Sequence, residues 1–135
     1  MYRRDYIQRM IEEFGRVMSQ VMSLKVMERH EEGLDELQEA YKTYFGIEAE
    51  ELEKIAPEDF VKTITEKYDF KNEQLDALAR ALRMESELHP LNQVKTADCK
   101  LKALSLFRHL EVMDAGTFSM SRKDAIRQLE NELNA

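Results

Sequence analysis

Three observations predict an all-α fold for this 135-residue chain. It contains only four glycines and two prolines, too few to punctuate the many short strands of a β protein. Its composition, 43% apolar and 35% charged, suits long amphipathic helices. Apolar residues also recur every three to four positions, where a strand would alternate. The expected architecture is one domain over residues 1–135, built of about six or seven helices in stacked antiparallel hairpins, with the hairpin 5–46 at its centre.

The first helix is expected from about Arg3–Asp5 to Glu28, on the order of 35–40 Å long at 1.5 Å per residue. Met10, Phe14, Val17, Val21 and Leu24 form one row, and Ile7, Ile11, Met18, Met22 and Val26 widen it. A stripe this broad needs more than one neighbour. Either later helices close over it or a second subunit does. A charged turn, Glu28–Glu32, leads to a second helix with Leu34, Leu37, Tyr41, Tyr44 and Phe45 on one face. Its N-terminal carboxylates suit the helix dipole. Gly33 lies inside this helix at a cost of roughly 1 kcal/mol relative to alanine, and close helix packing would account for it. Gly46 followed by Ile47 is the pattern of a glycine C-cap with its hydrophobic contact.

A short acidic helix is expected over Ala49–Ile55, and Pro57 opens another that carries Phe60, Val61, Ile64 and Tyr68. Asn72 is the expected N-cap of the next, with Leu75, Leu78, Ala79, Leu82 and Leu88 inward and His89-Pro90 as its end. Gln93 to Met113 forms a further helix with Ala97, Leu101, Leu104, Phe107 and Leu110 inward, broken by Asp114-Ala115-Gly116. Ser119 or Ser121 caps the last, whose stripe is Ile126, Leu129 and Leu133.

Charge and motifs narrow the function. The net charge is −7, and Glu28 to Glu66 holds thirteen acidic against four basic residues. That excess repels a nucleic-acid backbone and so predicts no nucleic-acid partner. No stretch approaches the roughly 18 apolar residues of a membrane span, and the N-terminus lacks a signal-peptide run. With a single Cys99, the expectation is a cytoplasmic protein without disulfides or membrane contact. None of His30, His89 and His109 has a glutamate three residues before it, so the di-iron helix pattern is absent. His30 and His89 read as surface residues. Cys99 and His109 stand about 80° and roughly 15 Å apart on one helix and cannot form a dyad. The isolated glycines make no phosphate loop. No enzyme activity, metal or cofactor is predicted, and Cys99 reads as an inert buried thiol.

The hairpin resembles a tetratricopeptide repeat. Val17 and Leu24 fall where the first helix of that repeat carries large core residues, Gly33 and Ala40 where the second carries small ones, and Leu37 and Phe45 at further pattern positions. Val21 stands in place of the usual glycine and Gln20 in place of the usual leucine. Tyr6 to Phe14 and Tyr44 to Ile47 also resemble small bacterial proteins with tetratricopeptide-like helical domains of unknown function.

The resemblance implies a protein- or peptide-binding scaffold with hairpin packing through Val17, Val21, Leu24, Gly33, Leu37 and Ala40. Its groove would be lined by Gly15, Met18, Met22 and Lys25, with the lysine meeting an acidic group. A structural homodimer and a small-molecule-binding or catalytic helical domain are the alternatives. The favoured reading of Met18 and Met22 is nevertheless core beneath later helices, as stripes at helical spacing usually are.

Overall fold

The first helix forms as its spacing requires, and the chain then folds back on it. In the computed structural model, which describes residues 2–134 and side chains from Arg4 onward, α1 spans Tyr2–Val26. Its C-terminus is closed by a Schellman pattern: Arg29 N–H donates to Leu24 C=O at 2.8 Å and Glu28 N–H to Lys25 C=O at 2.9 Å. The pattern needs a left-handed residue, and Glu28 supplies it at φ 60°. Helix α2, His30–Ala40, returns along α1. Gly33 is buried, and a Cβ placed there would sit 3.2 Å from Leu88 Cδ2 and 3.8 Å from Leu24 Cβ. Close packing is therefore its reason, although the nearer neighbour is Leu88 rather than the first helix.

The second helix was expected to run unbroken to Phe45. It changes instead to one π-turn, Tyr41–Phe45, before Gly46 reverses the chain at φ 68° and Ile47 is buried beyond it. The wider turn brings Tyr41 and Phe45 both inward. Phe45 meets Phe14 edge-on at 5.2 Å and Phe70 at 5.6 Å, which ties the turn to α1 and to the segment before α5.

Helix α3, Ala49–Lys54, is short, and Pro57–Asp59 makes a 3-10 turn ahead of α4, Phe60–Lys67. Helix α5, Asn72–Ser86, begins one residue earlier than expected, at the residue read as its cap. Asn72 is its first helical residue, and Lys71 N–H is satisfied by Gln74 Oε1 at 2.8 Å. Helix α6 spans Gln93–Met113 and α7 spans Met120–Asn134, with Ser119 accepting from Arg122 N–H at 3.1 Å as the N-cap. The described residues thus form an all-α protein of seven α-helices.

Helix α5 packs along α6 and across α1, while α7 and the α4 region cover other sides of α6. Because α6 has neighbours on several sides, its buried residues Cys99, Lys102, Ala103, Leu104, Leu106, Phe107 and Leu110 run around the helix. Leu101, expected inward, is 43% exposed, and Lys102 takes an inward place at 2%. Lys102 Nζ donates to Leu52 C=O at 2.7 Å, pairs with Asp98 at 2.7 Å and lies over the Phe60 ring. It closes the C-terminal end of α3 from another helix, where a cation opposes the helix dipole favourably.

Candidate functional site

Two places bring chemistry-bearing or uncovered side chains together. The first is a groove of about 1220 Å³ lined mainly by α1 and α5, with further walls from Lys100, Glu132 and the α6–α7 turn. Arg4, Gln8, Asn72 and Glu73 are among its polar lining, and Lys25 pairs with Glu87 at 2.8 Å between the two helices. Ile7, Ile11, Met18, Met22 and Met84 contribute its apolar lining.

The four residues expected in a partner groove divide. Met18 lines it half-buried, Met22 lines it 40% exposed, and Gly15 lines it with no atom within 4 Å of a Cβ placed there. Later helices therefore do not cover Met22. Lys25 is not among the lining residues, and its ammonium is engaged by Glu87. Of the six residues assigned to hairpin packing, Val21 and Leu37 are fully buried, Gly33 and Ala40 buried, and Val17 and Leu24 half-buried, with Gly33 set against Leu88 as well as Leu24.

The second place lies where α5 ends and α6 begins. His89 Nε2 stands 3.1 Å from Glu85 Oε2, and Cys99 Sγ donates to the same oxygen at 3.4 Å. Tyr41, brought in by the π-turn, donates to the other oxygen, Oε1, at 2.8 Å. His89, expected at the surface, has a side chain only 11% exposed. Thr96 Oγ1 bonds its carbonyl at 2.9 Å and holds the link between the helices.

Burial pushes the Glu85 carboxyl up, but hydrogen bonds from His89, Tyr41 and Cys99 outweigh it and keep it below the usual carboxylate range. Burial, with the Glu85 charge next, drives the Cys99 thiol well above its ordinary value. The Tyr41 hydroxyl rises for the same two reasons. A protonated thiol beside a charged carboxylate is a poor nucleophile.

The sequence held one signal for this cluster. A glutamate four residues before a histidine shares its helical face as surely as one three before, and Glu85 and His89 have that spacing. Cys99 and Tyr41 join them only through tertiary packing, which spacing along the chain cannot reveal. Compared with family models, curated proteins and solved structures, the chain matches none.

Proposed function

We propose that the protein is a peptide-binding scaffold whose α1–α5 groove takes the apolar face of a helical segment of another protein. The observation that carries this reading is an apolar wall along a groove of about 1220 Å³: Met22 is 40% exposed there, beside Ile11, Met18 and Met84, which are partly buried against the core. Pockets for small ligands run about 300–1,000 Å³, so this one is ample for several side chains of a peptide. Methionine adapts to varied apolar shapes, and a helix laid in a groove is read by anchors three to four residues apart. Gly15 adds to the argument. It costs a mid-helix position roughly 1 kcal/mol, and no internal side chain uses the space it leaves.

The acidic anchor expected opposite Lys25 forms no part of the proposal, because Glu87 already occupies that lysine. A displayed library of helical peptides tests the reading. Selected binders should carry apolar residues at helical spacing and lose at least tenfold in affinity against Met22→Glu and against Gly15→Leu, with circular dichroism unchanged. Binders that ignore both substitutions, or no binders at all, would overturn it.

A further inference from the structure

The polar cluster at the α5–α6 link is a different place from the groove. Among the described residues, one ligand atom each from Glu85, His89 and Cys99 falls within 4.8 Å of the other two. We propose that these side chains bind one divalent transition-metal ion of the zinc type, leaving a fourth position to a water molecule.

The donor set selects the ion. A thiolate and an imidazole favour zinc or cobalt over magnesium and calcium, which prefer oxygen alone. Charge supports the same choice, since one carboxylate and one thiolate neutralise a dication in a partly buried site. Two of the three donor edges are close to what a tetrahedral ion needs, and the third, His89 nitrogen to Cys99 Sγ, lies within 4.8 Å. Bond lengths of about 2.0–2.3 Å place N and O about 3.4 Å apart and S and O about 3.6 Å apart. The cluster has 3.1 Å and 3.4 Å for these edges, so each must open by only a few tenths of an ångström.

The surroundings also fit. Tyr41 fixes Oε1 of Glu85 and leaves Oε2 aimed at the other two donors, the outer hydrogen bond that orients a metal-binding carboxylate. His89 lines a cleft of about 600 Å³ together with Glu28, His30 and Glu31, which gives a cation an entry path with carboxylates on its wall. The ion sheds water, Cys99 Sγ releases its proton to solvent and forms the sulfur–metal bond, the Nε2 proton that His89 shares with Glu85 exchanges through solvent so that the neutral ring keeps its proton on Nδ1 and gives its Nε2 lone pair, and Glu85 Oε2 completes the set. No electron is transferred.

Cobalt(II) chloride added to the metal-stripped protein is the first probe. One equivalent should produce a thiolate-to-cobalt charge-transfer band and the intense visible bands of a tetrahedral ion. Zinc chloride should bleach both bands, and calorimetry should report one zinc per chain. Cys99→Ser should abolish the charge-transfer band, and His89→Gln should weaken zinc binding at least tenfold. Wild-type protein that shows no charge-transfer band overturns the proposal whether or not the variants fold. So does zinc binding of equal affinity in wild type and Cys99→Ser, which would place the ion on surface carboxylates.

Discussion

Glu28 carries a backbone conformation that an L residue adopts at a cost of roughly 1 kcal/mol, because the Schellman turn between α1 and α2 requires φ above zero there. Glu28→Gly should raise the unfolding free energy by about 1 kcal/mol, measurable by urea denaturation with an unchanged m value. Gly33 presents the opposite case. Alanine restores about 1 kcal/mol of helix propensity but puts a methyl 3.2 Å from Leu88 Cδ2, so Gly33→Ala should stay within about 1 kcal/mol of wild type. Gly33→Leu should cost about 1–3 kcal/mol by overpacking, and Leu88→Ala in the same chain should recover part of it. Equal stabilities for wild type and Gly33→Leu would remove the close approach. The sequence pointed to Gly33 because a glycine inside a helical pattern asks for a packing reason. It could not point to Glu28, since glutamate carries no signature of a left-handed turn.

Helix spans followed from periodicity and caps with small errors, because each depends on neighbours in the chain. The bounds of α6 and the glycine closure at Gly46 emerged as expected. The errors came from tertiary contacts. Leu101 turned outward, and Lys102 inward, because α3 offers carbonyls that only a long cation can reach. Lys102→Met should therefore destabilise by about 2–3 kcal/mol despite its similar size, since it strands a buried carbonyl and the Asp98 carboxylate. Thermal melts with no shift would refute that role.

The α6–α7 turn depends on charge as well. Lys123 and Arg122 hold the Glu111 carboxyl below its ordinary 4.5. A carboxylate whose folded pKa is depressed contributes stability above its unfolded value and loses it as pH falls through the folded one. The turn should loosen below pH 4.5, and Glu111→Gln should lower the melting temperature near neutral pH while flattening that acid slope.

For the whole molecule, the broad stripe of the first helix was legible as a demand for two neighbours, and α2 and α5 supply them. Which of its residues remained uncovered was not legible, because that depends on where α5 lands. The alternative to a peptide in the groove is a second copy of the chain, and the two make different predictions about mass. Uncovered apolar side chains are scattered over several elements: Tyr6, Met22, Val26 and Met27 on α1 and the turn after it, Leu91, Val94 and Leu101 around the start of α6, and Val112, Met113, Phe118 and Met120 about the α6–α7 turn. Stable homodimer interfaces concentrate apolar area in one contiguous patch of about 800 Å² or more per partner. Split patches favour separate chains with the groove open, so light scattering coupled to gel filtration at micromolar concentration should report the chain mass of 15.9 kDa. A species of twice that mass which Met22→Glu returns to the single-chain value would place a second copy in the groove, and the peptide reading would fall with it.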